Sequence, residues 1–97
     1  MLESKAPGRF SRRAGLPFQR MGDEILVVDP KARKAHVLKG AAVRIWDLLE
    51  KPLAPSDIAR ALSVEFDVDE VRARRDAEKF LAEIEALGLL ERAPTEA

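Results

Sequence analysis

Apolar residues form short runs between positions 17 and 38, and from position 40 onward they recur every three or four residues. The longest periodic stretch is Asp67 to Leu90, DVDEVRARRDAEKFLAEIEALGLL. Ala77, Leu81, Ile84 and Gly88 fall on one helical stripe, with Phe80 and Leu87 on its flank. Asp67 followed by Glu70 predicts a capping box, in which side-chain oxygens accept the free backbone N–H groups of the first turn. Gly88 suits a left-handed stop, and Glu70/Arg74 and Arg72/Asp76 are opposite charges one turn apart. The pattern predicts a helix over 67–87 whose single apolar stripe must bury itself on the rest of the chain.

The preceding chain supplies that surface. Pro17–Met21 reads as a weak strand, and Gly22-Asp23 as a tight turn. Glu24–Asp29, EILVVD, has four consecutive apolar residues, three of them β-branched, and predicts a central strand shielded on both faces. Asp29-Pro30 opens a turn, and Ala35–Leu38 is a third, short strand. Gly40–Glu50 predicts a helix with Ala42, Ile45, Trp46 and Leu49 inward, ended by Pro52. Pro55–Leu62 predicts a second helix with proline at its first position. Ser63–Phe66 is expected to link into the long helix, with Val64 and Phe66 plugging the core. Leu89 and Leu90 are expected to pack back on it. Three strands followed by three helices predict an α+β fold, a small antiparallel meander with a helical bundle on one face, resembling a winged helix.

The chain is 97 residues long, enough for one domain. Formal charge is zero, yet residues 1–16 carry Lys5, Arg9, Arg12 and Arg13 against Glu3 alone. These residues lack periodicity and are expected to form a flexible basic arm, the domain spans 17–91, and 92–97 is a polar tail. The balance of the chain is acidic, including seven acidic against four basic residues between Asp67 and Leu87. That distribution disfavours a nucleic-acid partner, which needs a net basic face. No apolar run is long enough for a membrane span and no secretory signal is recognisable, so a cytoplasmic location without membrane attachment is expected.

Constellations for chemistry are missing from the sequence. His36 is the single histidine and there is no cysteine. Hence no metal cluster, thiol or Ser–His–Asp set is expected, no cofactor, and no enzyme activity. One residue departs from core logic. At about 100° per residue, Val71 lies well off the Ala77/Leu81/Ile84 stripe, beside Arg75, Glu78 and Ala82. It either caps the junction of helix and core or lines a groove beside the sheet, where an extended peptide can be captured against an open strand edge.

The order of GAAVRIWDLL (Gly40–Leu49), SDIARAL (Ser56–Leu62) and RDAEKFLAEIEALGLL (Arg75–Leu90) resembles the PqqD-like family, the RiPP recognition elements. The resemblance implies a non-catalytic peptide chaperone. It would bind the leader segment of a ribosomally made precursor peptide and deliver it to a modifying enzyme, a radical SAM protein or a leader peptidase or cyclase. In the family the leader adds to the third strand and packs on the third helix. Carried over, the strand is Ala35, His36, Val37 and Leu38, and the helix side is Val71, Arg74, Arg75 and Glu78, whose arginines suit acidic leader side chains. Lys39 stands where the family usually has asparagine, and Ala54 where it often has threonine, so both helix starts lack a side-chain acceptor. A winged-helix DNA-binding protein is the alternative. The open edge also permits pairing with a second copy, a homodimer.

Overall fold

A computed structural model of the chain describes residues 8–93. Its elements are β1 (Arg9–Arg12), β2 (Phe18–Met21), β3 (Glu24–Asp29), β4 (Lys34–Leu38), α1 (Ala41–Leu48), α2 (Pro55–Phe66), α3 (Glu70–Ala86) and β5 (Leu90–Ala93). Strands β2, β3 and β4 form an antiparallel meander in that order, with Phe18 opposite Val27 and Leu26 opposite Val37. The expected α+β architecture is present, and winged helix is a loose description of it.

Strand β3 is buried on one face only. Ile25, Val27 and Asp29 are buried, whereas the intervening Leu26 and Val28 are half-buried. The continuous apolar run predicts cover on both sides; among the described residues the helices cover one. On that side Ile25, Val27 and Leu38 meet Ala42, Ile45, Trp46 and Leu49 of α1 and its end, and Ala73, Ala77, Leu81 and Ile84 of α3. Trp46 is fully buried, with Phe18 edge-on at 5.5 Å between ring centroids. Its Nε1–H has no hydrogen-bond partner among the described residues.

Helix ends explain where the sequence reading shifts. Helix α2 runs one turn further than Leu62, so Val64 and Phe66 ride on its outer side at 80% and 52% exposure instead of plugging the core. Val68, beyond the helix, packs on the core in their place. Asp67 adopts the left-handed conformation (φ 54°) that ends α2, and Asp69 caps α3 by accepting the Arg72 N–H at 2.8 Å. The cap therefore stands two residues later than the expected Asp67–Glu70 box, because Asp67 serves the preceding helix. Ala54 is the capping residue ahead of α2, and its N–H donates to Asp57 at 3.1 Å. Gly88 (φ 82°) closes α3 as expected: its N–H bonds the Glu85 carbonyl at 2.9 Å and the Leu89 N–H bonds that of Ile84 at 3.3 Å.

The segment expected as a loose arm contains a strand. Arg9–Arg12 pairs antiparallel with Leu90–Ala93, and Phe10 exchanges two backbone hydrogen bonds with Leu53, at 2.8 and 3.0 Å. Residues 1–7 of that arm and 94–97 of the expected tail lie outside the described residues. Two arginines then fasten the segment to the domain. Arg12 donates to the Trp46 carbonyl at 2.9 Å, with its guanidinium over the rings of Phe18 and Trp46. Arg13 bridges the Gly88 carbonyl at 2.7 Å and the buried Asp29 carboxylate at 2.9 Å. At the other strand, Arg92 stacks on Phe10 and forks onto Glu85. That hydrogen bond, against a smaller opposing effect of burial, draws the Glu85 carboxyl below its ordinary range.

Candidate functional site

The three-stranded sheet ends on one side at β4, and no described residue pairs with its outer edge. The alternation of an antiparallel ladder decides which backbone groups are free there. The Val28 N–H bonds the Pro17 carbonyl, so Glu24, Leu26 and Val28 of β3 bond toward β2. Ile25, Val27 and Asp29 therefore bond toward β4, at Leu38, His36 and Lys34. That leaves the N–H and C=O groups of Ala35 and Val37 pointing outward. Their side chains lie on the uncovered face of the sheet, Val37 at 47% exposure, while His36 is half-buried and Leu38 buried on the helix side. The four strand residues singled out from sequence thus divide into two that present backbone and two that present side chains toward the helices.

The four helix residues are placed differently. Helix α3 buries Ala73, Ala77, Leu81 and Ile84, and its two flanks look in opposite directions. Arg74 lines a crevice with Ser56, Ala59 and Arg60 of α2, and pairs with Glu78 at 2.7 Å. Glu78 lines a second crevice with Phe10, Pro55 and Arg92. Val71, 71% exposed, and Arg75 border open surface shared only with residues between Asp69 and Asp76. This quartet is therefore turned toward α2, the two-stranded sheet and solvent. It is not gathered beside β4.

The opposite flank carries Arg72, Asp76, Phe80, Glu83 and Leu87, at one-turn spacing. Arg72 and Asp76 share a cleft with Gly40 and Ala41, immediately beyond the end of β4. Phe80 is half-buried against the core and Leu87 is exposed. Both lie on the edge of the buried stripe, the flank position their helical spacing predicts. The cleft has a volume of about 530 Å³ and continues over Val43, Leu62, Phe66 and Val68, with Arg20, Asp23, Arg44 and Asp47 at its border. No cluster of three or more His, Cys, Asp or Glu able to hold a metal occurs among the described residues. No described helix is long and apolar enough to cross a membrane.

A family model for PqqD, coenzyme PQQ synthesis protein D, matches residues 24–90. The chain belongs to the PqqD family. The match begins at β3 and ends at β5, so β1 and β2 lie outside it. Three solved structures share the fold of this PqqD-family chain. TbiB1, solved in complex with the TbiA(beta) leader peptide, is 26% identical, with a TM-score of 0.77 over 88% of this chain and 99% of that one. Lasso peptide synthetase B1, complexed with the leader peptide, is 21% identical, with a TM-score of 0.73 over 84% and 96%. The PqqD part of PqqCD from Methylobacterium extorquens, described as a stand-alone RiPP recognition element, is 21% identical, with a TM-score of 0.71 over 87% and 89%. No curated protein matches the chain. These comparisons give the DNA-binding alternative no support.

Proposed function

We propose that this PqqD-family chain is a precursor-peptide recognition element. It binds a leader segment as an additional strand on β4 and presents the attached peptide to a modifying enzyme. The free backbone groups of Ala35 and Val37 carry the proposal, because they are a two-residue period of donors and acceptors with none of the described residues upon them. Main-chain pairing provides affinity that is blind to sequence, and neighbouring side-chain sites provide selection. The leader-bound state of TbiB1, the 26% identical relative, supports the same use here. The wall beside the added strand is the Asp76/Phe80/Leu87 flank of α3; the expected Val71, Arg74, Arg75 and Glu78 face elsewhere. Catalysis is left to the partner, a radical SAM protein or a leader peptidase or cyclase. The encounter takes place in the cytoplasm, where ribosomal precursors are made.

Proline at position 37 tests this directly. Its missing N–H belongs to the outer edge, so the ladder to β3 stays intact. A displayed library of random 20-residue peptides is panned against the full chain and against Val37→Pro. Peptides enriched on the wild type are expected to bind the variant at least about tenfold more weakly, the loss of one well-made hydrogen bond and its neighbours. Circular dichroism of the variant should show the same helix content. Equal binding by a folded Val37→Pro chain would rule out strand addition at this edge.

A further inference from the structure

The open edge carries a charge pattern that strand addition alone does not explain. Between Asp29 and Asp47 the sequence has five lysines and arginines and no acidic residue, although the chain as a whole is neutral. Two of these cations are compensated: Arg44 pairs with Glu65 at 2.6 Å, and Lys39 approaches Glu24 at 3.8 Å. The other three, Lys31, Arg33 and Lys34, occupy the turn between β3 and β4 and the first position of β4. All three are exposed, and no carboxylate of the described residues pairs with them. Asp29 stands opposite Lys34 in the ladder, but it is buried and its carboxylate accepts from Arg13 at 2.9 Å. The adjoining hollow, lined by Arg13, Ala14, Gly15, Pro30 and Lys31, brings in no anion.

Arg33 also stands where arginine is a poor choice for the backbone. Its φ of 59° is left-handed, a conformation in which Cβ crowds the following carbonyl and which glycine adopts freely. The turn is closed without its side chain: the Arg33 N–H donates to the Pro30 carbonyl and the Ala32 N–H to Asp29, both at 3.3 Å. A long cation kept in a strained turn that does not use it points to a ligand. Position gives that ligand its direction. The meander is antiparallel throughout, and an antiparallel visitor is its more stable continuation. Strand β4 begins at Lys34, so such a peptide finishes its pairing there. After the residue facing Ala35 come those facing Lys34 and Arg33, at about 3.3 Å per residue. Carboxylates at these places meet cations that have no other partner, and a basic residue is repelled. A nucleic acid is the other polyanion, but its backbone does not extend the β4 ladder, and three cations at one end of a strand are a small footprint for it.

Building on the proposed strand addition, we infer that Lys31, Arg33 and Lys34 form a cationic selector for acidic residues of the peptide, placed directly C-terminal to the segment paired with β4. The backbone edge holds the peptide in line, and the selector fixes the direction and register in which it lies.

The probe is the most strongly enriched peptide from the library selection, titrated by fluorescence anisotropy against the full chain. A proline scan of the peptide locates the paired segment, where proline abolishes binding. Its aspartates and glutamates are then changed one at a time to asparagine and glutamine. Those directly after the paired segment should each cost about threefold, the range of one exposed ion pair, and the loss should shrink in about 500 mM salt. Lys31→Gln, Arg33→Gly and Lys34→Gln combined should weaken the unaltered peptide about tenfold or more and erase its advantage over the neutralised forms. Arg33→Gly alone relaxes the turn, so its denaturant midpoint should equal or exceed that of the wild type while peptide affinity falls. A lower midpoint would make Arg33 a residue of the turn and defeat its assignment to the peptide. Binding that requires Val37 but is indifferent to the three cations, or a peptide with no acidic residue after the paired segment, would overturn the selector and leave strand addition standing. Dependence on acidic residues ahead of that segment would count equally against it. So would a labelled single-stranded oligonucleotide that binds through the same cations when acidic peptides do not. A library that yields no bound peptide would remove both.

Discussion

Asp29 shows how one buried charge ties the N-terminal segment to the sheet. Burial by itself would raise its carboxyl, but the backbone N–H groups of Ala32 and Lys31 and the guanidinium of Arg13 outweigh that cost and hold it below the ordinary carboxylate range. A carboxyl depressed in the folded state contributes stability that is complete above its unfolded pKa. The contribution is lost as pH falls through the lower, folded value. Denaturant midpoints should therefore fall between neutral and strongly acidic pH, and Asp29→Asn should flatten that dependence while lowering stability at neutral pH. An unchanged acid limb in the variant would show that other carboxylates dominate. Val64 is the opposite case. Its hydrophobicity within the expected link Ser63–Phe66 suggests a core plug, yet it is 80% exposed. Val64→Ser should shift stability by no more than about 0.5 kcal/mol, as surface changes do, where a core valine would cost several times more.

At the scale of elements, most of the fold was legible from period alone. Continuous β-branched residues marked β3, the three- and four-residue recurrence marked α1 and α3, and Gly88 marked the end of α3. The failures have a common physical origin in partners distant along the chain. Strand β1 has four residues, three of them polar, and no alternation strong enough to announce it. It exists because Leu90–Ala93 and Leu53 offer their backbones and because Arg12 and Arg13 reach Trp46 and Asp29. Nothing within residues 8–13 reports those contacts. The helix boundaries between 62 and 70 shifted for a local reason: two aspartates, Asp67 and Asp69, both suit a helix end, and only packing decides which serves which helix. The strand pairing makes the segment part of the folding unit. Phe10 is the one buried large side chain of β1, so Phe10→Ala should cost about 3–5 kcal/mol in urea denaturation, with the cavity adding to the lost burial. A loss under about 1 kcal/mol would mean that β1 contributes little to the fold.

The whole molecule decides what neither a residue nor an element can, namely which flank of α3 stands beside the open edge. A sequence gives the angle of each side chain around its own helix axis, so the apolar stripe and its two flanks were readable. It does not say on which side of that stripe the sheet edge lies, because that depends on how α1 and α2 carry the chain across the sheet. The family resemblance implies a wall of Val71, Arg74, Arg75 and Glu78, the side on which Val71 is the stray apolar residue. The fold turns that side toward α2 and solvent, and brings Arg72 and Asp76 to the end of β4. Two matched charge insertions separate the alternatives. Leu87 and Val71 are both exposed, at 43% and 71%, so neither substitution disturbs the core. If the peptide lies against the Phe80/Leu87 flank, Leu87→Asp removes apolar contact and places a carboxylate beside Glu83, one turn away. Peptide affinity should then fall about tenfold, and Val71→Asp should leave it within about twofold. The same titration series reads both variants against one library-selected peptide. A result in which Val71→Asp weakens binding and Leu87→Asp does not would return the wall to the flank first read from the sequence, and would require the peptide to cross α3 rather than lie along β4.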